Sequence, residues 1–495
     1  MNPFHDYMAE KMVIWQSNQY FCGMRFVITP MLGFLIPAAL SAQTGTWTLE
    51  QCIEQALKNN IDVQLAGVSA KLAEQNWRNS VAAATPDANI NAGQFFQSGR
   101  SIDRFTNQFV QTTVSSNSLQ LQSSVLLYAG GQIRNGIQQS KYLWLAGESD
   151  LKNMEQNTAL NVANLFLQVI QTKELKASAD ETLKNTELQL QRTRKLFDAG
   201  VVNEGQVLNL EAQKANDQTA LTNASNQEIL ALTNLKMLLR LPAENAFDII
   251  RPEINLYKPE SYPAGQQELF DSAVKRRADV QAAVFRHKAA IYARKSARGG
   301  MLPVLSVGGN LSTVYSSNAK SVSATTISGF EPIGRVQGTN EIVEAPNIQY
   351  MLQTVDFSKQ VKDNFGQSLG FNLSVPFYGK LQARNTAQRA GLDEVRAKLS
   401  ADRAVQNLYT EVVSAYNNYS SAMERYQAAI KTIEAQKRNM DFVKKRFEAG
   451  QANVFELQLA QTNETTARNN LTSVRYEYMF RKMVLDFYLG KPLTL

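Results

Sequence analysis

Residues 368–385 read SLGFNLSVPFYGKLQARN, and residues 119–135 read LQLQSSVLLYAGGQIRN. In the first stretch Leu369, Phe371, Leu373, Val375 and Phe377 alternate with Ser368, Gly370, Asn372 and Ser374. In the second, Leu119, Leu121, Val125 and Leu127 alternate, less regularly, with Gln120, Gln122, Ser124 and Leu126. A period of two places the apolar side chains on one face of a β-strand and the polar ones on the other. Just past each strand the period changes. Leu408, Val412, Ala415, Tyr419, Ala422, Tyr426, Ala429, Ile433, Gln436, Met440, Val443 and Phe447 follow spacings of four and three, which is a heptad seam of coiled-coil type. Val162, Leu165, Val169, Thr172, Lys176, Ala179, Leu183, Thr186, Leu190, Thr193 and Phe197 keep the same register with more polar insertions. No proline interrupts Gly131 to Asp198 or Lys380 to Glu448. Each segment therefore predicts one helix of about 68 residues, roughly 100 Å long.

The two stretches are copies of one unit. Leu127-Tyr128 corresponds to Phe377-Tyr378, Arg134-Asn135 to Arg384-Asn385, Phe197-x-Ala-Gly200 to Phe447-x-Ala-Gly450, and Pro242 to Pro492, all about 250 residues apart. Upstream, Asn60-Ile-Asp-Val-Gln64 resembles Arg277-Ala-Asp-Val-Gln281, and Pro86 matches Pro303, with a spacing shorter by about 33 residues. The second half therefore carries an insertion between Pro303 and Phe377. Alternating strands follow both prolines, through Ala88, Ile90 and Ala92 and through Leu305, Val307 and Leu311. Each half predicts one hairpin, connected at 98–117 in the first half and at 315–365 in the second. Helices from Leu49 to Ala83 and from Gln266 to Arg298 precede the hairpins. Others, Gln206 to Leu239 and Val454 to Tyr488, follow the turns at Gly200 and Gly450, which the pattern marks as left-handed helix caps. The expected organisation is a first repeat at 43–242, a proline-containing linker at 243–265 and a second repeat at 266–495.

The chain has 495 residues, 51 Lys and Arg against 44 Asp and Glu, a formal charge of +7, two Cys and two His. Only one uncharged apolar run occurs, Phe26 to Ala42, which excludes a polytopic helical membrane protein. Met24-Arg25, that run and the small residues after it have the order of a secretory signal, so residues 1–42 are expected to be removed on export. Cys22 precedes the apolar run, so no lipid anchor is expected. Two cysteines cannot build a disulfide framework, and Cys52 reads as a small buried residue. His287 lies on the basic face RHKAAIYARK, and no GxSxG, HExxH or nucleotide-binding GxxxxGK[ST] motif occurs. No catalytic, cofactor-binding or metal residues are assigned. Export and dispersed charge argue against a nucleic-acid partner.

Alternating strands in an exported chain without a membrane-spanning helix predict a membrane β-barrel, with Tyr128, Tyr378, Phe377 and Phe95-Phe96 at interfacial positions. Four strands are too few to close a barrel, since known ones begin at about eight. The chain must oligomerise, two copies giving eight strands and three giving twelve. A periplasmic coiled-coil adaptor or structural spacer would share the heptads but not the paired hairpins.

The junctions VLLYAGGQIRN and SVPFYGKLQARN, the turns KLFDAGVVN and KRFEAGQAN, and the pairs Ala212-Gln213 and Ala460-Gln461 resemble the TolC family of outer-membrane efflux factors over residues 46–492. The resemblance implies an α+β membrane protein with a duplicated αββα repeat. It also implies a homotrimer whose twelve-stranded barrel, four strands per chain, sits among outer-membrane lipid and continues as a long α-helical periplasmic tunnel. The implied activity is that of a passive exit duct for small molecules. Its partners would be a periplasmic adaptor (membrane fusion) protein and an inner-membrane RND or ABC transporter; type I protein secretion is the alternative. Adaptor docking falls by resemblance at Ala199-Gly200-Val201 and Ala449-Gly450-Gln451. The periplasmic gate falls at Glu456, with Leu459 where the family has a second acid, Gln206 at the partner position, and Ala452 in place of a basic latch residue.

Overall fold

A computed structural model describes residues 46–102, 109–242, 244, 246–250, 260–379 and 381–493. The expected signal segment and residues 243, 245 and 251–259 of the 243–265 linker lie outside the described residues. In the first half, strand β1 (Thr46–Trp47) leads into helices α1 (Leu49–Asn59) and α2 (Ile61–Ala82). Strands β2 (Asp87–Ile102) and β3 (Phe109–Ala129) follow, then helices α3 (Gln132–Asp198) and α4 (Glu204–Leu238). The second half repeats the order. Strand β4 (Asp248–Ile249), helices α5 (Gln266–Arg276) and α6 (Ala278–Gly299) and strand β5 (Val304–Ser316) precede the insertion. Strand β8 (Gly366–Ser374) and helices α8 (Gln382–Glu448) and α9 (Val454–Tyr488) follow it.

The two long helices, α3 and α8, have 67 residues each, close to the length the heptads predict. The shorter helices are broken where a single helix was expected. Asn60 has ψ 132° and Arg277 has ψ 121°, both extended. At Asn60 the side-chain Oδ1 accepts from the N–H groups of Asp62 and Val63, so one residue ends α1 and caps α2. At Arg277 the guanidinium forks onto Asp279, whose Oδ1 accepts from the N–H of Val280. The break recurs because NIDVQ and RADVQ are repeat equivalents.

The 315–365 insertion, expected as a long connection, is built. Strands β6 (Lys320–Arg335) and β7 (Ile342–Thr354) form a second hairpin, and helix α7 (Phe357–Asp363) returns against β5. Gln360 pins α7 by accepting from the N–H of Ser316 and donating to the carbonyls of Ser316 and Val355. The first hairpin's strands run further than expected, pairing from Asp87↔Ser124 to Ile102↔Phe109. By contrast β8 stops at Ser374 rather than Phe377, because Pro376 lacks an N–H and pushes Val375 out of the ladder.

The main sheet has the order β2-β3-β5-β8, antiparallel throughout, with β2 and β8 as open edges. The helices beside it follow a parallel order: α3 packs on α2 and α6, and α6 packs on α8. Both sequences end open at the same two places. Gly130 and Gly299 fix the join between sheet and helices. A Cβ on Gly299 would lie 2.5 Å from the carbonyl oxygen of Gly130, and Gly130 itself has φ +59° with its missing Cβ against the carbonyl of Gly299. Backbone rests on backbone there. Gly130→Ala should lower stability by about 1–3 kcal/mol through overlap and left-handed strain. The neighbouring Gly131→Ala, whose nearest obstruction is an amide at 3.4 Å, should lose less. Thermal unfolding by circular dichroism in detergent checks the order; equal losses would remove the contact as the cause.

Candidate functional site

The strand register sorts the sheet into two chemistries. Across one face run Ile90, Leu121 and Leu311 in one row and Val125, Val307 and Phe371 in another, with Leu119 and Leu373 beside them. The opposite face carries Asn89, Gln122, Asn310 and Ser368 in one row and Asn91, Gln120 and Ser312 in the next. Leu369, Phe371 and Leu373 remain largely exposed in the single chain, so among the described residues this part of the apolar face is uncovered. An apolar face backed by amides and hydroxyls is the alternation of a membrane barrel with a wet interior. Asp87 joins the polar face, its carboxylate accepting from the N–H and hydroxyl of Ser124.

At the far ends of α3 and α8 lie the two turns. Gly200 (φ +71°) donates to the carbonyl of Phe197 and Val201 to that of Leu196; Gly450 (φ +74°) donates to Phe447 and Gln451 to Arg446. These paired bonds define Schellman caps, and only a residue tolerant of positive φ fits. Asn203 and Asn453 then restart the chain as α4 and α9 by accepting from the N–H groups of Gln206 and Glu456 at 3.2 and 2.8 Å. Ala199, Gly200, Val201, Ala449, Gly450 and Gln451 are all exposed.

Gln206 and Glu456 therefore occupy the same third helical position of their helices, each tied to its own cap. No hydrogen bond joins these two side chains. The Glu456 carboxylate lies 3.4 Å from the Arg446 guanidinium, which also donates to the carbonyl of Gln451. Leu459 is exposed one turn further along α9. The pairing with Arg446 is absent from the sequence pattern, since the two residues are brought together only by the turn between them.

Each helical hairpin has its own apolar core near the tip: Leu190, Val207 and Leu210 in α3/α4, and Val443, Leu457 and Ala460 in α8/α9. Near the tip the contact between the hairpins is largely polar, with Val454 of α9 reaching the first of these cores. Gln458 donates to Gln213 (2.6 Å), Gln213 to Asp217 (2.7 Å), Thr186 to Asp217 (2.7 Å) and Gln189 to Gln461 (3.1 Å), around a cavity of about 100 Å³. Asp217 is 7 % exposed there. Further along, Arg468 pairs with Glu181 and Arg475 with Glu174 across the same boundary. The sequence hinted at this seam only through its repeated Ala-Gln pairs.

Residues 52–239 and 269–491 match the family described as outer membrane efflux protein, which is most of the chain. The chain belongs to the outer membrane efflux protein family. Its fold agrees. The CusC channel aligns with TM-score 0.72 at 16 % identity, covering 90 % of this chain and 92 % of CusC. VceC from Vibrio cholerae aligns with TM-score 0.71 at 14 % identity, covering 90 % and 96 %. The open state of the Neisseria gonorrhoeae MtrE channel aligns with TM-score 0.68 at 17 % identity, covering 96 % and 98 %. Among curated proteins none matches the sequence at a significant level. As an outer membrane efflux protein, the chain contributes the four-stranded sheet to a barrel in the outer membrane and the long helices to a tunnel in the periplasm.

Among the described residues no group of His, Cys, Asp and Glu is placed to hold a metal, and no helix is long and apolar enough to cross a membrane. Cys52 is buried, and desolvation pushes its thiol up to about 12, which leaves it unreactive.

Proposed function

We propose that three copies of this chain close head to tail into the exit duct of a tripartite efflux pump, a passive conduit for small molecules. Energy would come from an inner-membrane RND or ABC transporter reached through a periplasmic adaptor. The observation that carries this reading is the coincidence of the open edges. On α2, Ile61, Leu65, Val68 and Leu72 form an exposed apolar stripe, with Leu65 60 % exposed. On α8, Leu392, Val395 and Leu399 form another, with Leu392 72 % exposed. These helices are the two ends of the order α2-α3-α6-α8, just as β2 and β8 are the ends of the sheet. Joining α8 to the next chain's α2 and β8 to its β2 satisfies both at once, a heterologous contact that closes on itself. Two copies would give eight strands, whose interior side chains fill; three give the smallest ring with a wet lumen.

Within that duct the polar face supplies a lining of Asn, Gln and Ser with little means to discriminate among solutes, which suits a conduit whose selectivity lies in the pump. The amide seam between hairpins suits a gate. Breaking a contact between neutral amides that water can replace costs only about 1 kcal/mol per bond, so near the tip α8/α9 would move against α3/α4 at the cost of those bonds and the Val454 contact. Glu456 and Leu459 would face the constriction from α9 and Gln206 from α4, and the six exposed turn residues would receive the adaptor.

Leu65→Lys and Leu392→Lys should each weaken assembly by about 2 kcal/mol per interface without unfolding the chain, because both side chains are exposed in the monomer. Light scattering of the detergent-solubilised protein measures this, and trimers at wild-type level in both variants would sink the head-to-tail arrangement. In planar bilayers Glu456→Ala should reduce cation block of single channels and Arg446→Gln should increase it; unchanged currents in both would take the pair out of the gate. Val201→Asp, at an exposed turn position, should abolish resistance of a complemented efflux-deficient strain to toxic compounds while leaving conductance intact. Full resistance would place docking elsewhere.

A further inference from the structure

The basic segment Lys275-Arg276-Arg277 opens a stretch of cationic residues that continues through α6. Most of the later cations are used in packing. Arg286 pairs with Asp150 and Arg294 with Glu394, Lys288 lies over the rings of Tyr142 and Phe285, and Lys295 lies over Tyr292. The segment at 275–277 is different. It meets Lys152 and Gln156 of α3 and the end of α9 around a cavity of about 400 Å³, with Phe487 and Tyr488 as its apolar wall.

Five cationic side chains line this one space. Arg277, 8 % exposed, is neutralised by Asp279, and Lys491 by Asp486 at 2.9 Å. Lys152, Lys275 and Arg276 have no acidic partner among the described residues. The position of Arg276 is set by the helix cap at Gly490 (φ +77°): a Cβ there would meet the Arg276 side chain, with Cδ at 3.0 Å and the guanidinium nearer still. Lys275 and Arg276 stand in the last turn of α5, where the helix dipole favours them. Lys152 comes from the interior of α3, so a helix end does not account for it. Gln156, whose buried Oε1 lacks a partner, also lines the cavity. Tyr488 adds a neutral hydroxyl, since burial pushes it up to about 12.

We infer that this cavity is a binding site for a multivalent oxyanion, a phosphate-bearing group or clustered carboxylates, gripped by Lys152, Lys275 and Arg276. Three like charges converging on one concavity repel one another and focus positive potential, and a multivalent anion relieves both. Arg276 supplies a planar fork for two oxygens and the lysines supply point charges. The interaction must weaken as salt screens it.

Isothermal titration of the detergent-solubilised assembly with inorganic pyrophosphate and, separately, with citrate tests the site. The expected result is saturable binding of at least one of them, one per chain, weakened at least about tenfold by Lys275→Glu/Arg276→Glu and by raised salt. Pyrophosphate alone binding identifies a phosphate site, and binding of both admits carboxylates. Lys431→Glu/Lys437→Glu, with the same charge change on α8 away from the cavity, should bind as wild type. If the first double variant does not assemble, Lys152→Ala replaces it with the same expected direction. No saturable binding, or equal loss in the α8 control, overturns the inference.

Discussion

Unpaired main-chain groups along β2 and β8 set the terms for the whole chain. In lipid each unsatisfied N–H or C=O costs several kcal/mol, and a four-stranded sheet leaves two full edges of them. Side chains cannot repair that. Closure has to come from another copy, and in the proposed ring the same copy would also cover the stripes on α2 and α8. The apolar surface that looks misplaced on the isolated chain would then be the complement of the missing edge.

Downstream of the sheet the chain solves a different problem, which is to carry a structure some 100 Å from the membrane with few residues. Long heptad helices do this economically because each hairpin carries its own core. Extended kinks at Asn60 and Arg277 let α1 and α5 leave the line of α2 and α6 and pack against the sides of α3 and α8. The largest apolar clusters lie there, one around Phe166 and Ile170 that also takes in Tyr476, Met479 and Met483 of α9, the other around Tyr419, Tyr426 and Tyr478. Tyr419 gives its hydroxyl hydrogen to the carbonyl of Glu260 and lies 3.2 Å from the Tyr478 hydroxyl, so the polar ends of this aromatic pair are satisfied.

Much of this was legible because periodicity is a local signal. The heptads from Leu408 to Phe447 and the alternation from Leu369 to Leu373 are read from adjacent residues, and the repeat doubles each observation. Features that depend on where the chain returns were not legible. The β6/β7 hairpin escaped because three register shifts, at Val322/Ala324, Ile327/Phe330 and Pro332/Gly334, destroy the period of two that would have announced it. Asn60 interrupts a helical pattern whose apolar spacing continues past it. At the tip, the cap geometry of Gly200 and Gly450 was written in the sequence, but the approach of Arg446 to Glu456 and the Gln213–Gln458 bond are long-range consequences of that geometry.

The contact between Gly130 and Gly299 joins the first half's strand-to-helix junction to the second half's preceding helix. In the proposed ring its repeat-related counterpart would belong to a different seam, the one completed by a neighbouring chain. Around an assembled ring, similar units therefore alternate between neighbours that share a covalent chain and neighbours that do not. A substitution in one class of seam has no obligatory echo in the other. The repeat offsets put Lys380 and Ala82, not glycines, at the counterpart positions, so glycine-on-glycine packing belongs to the covalent seam, while the other seam would be the place where the ring assembles.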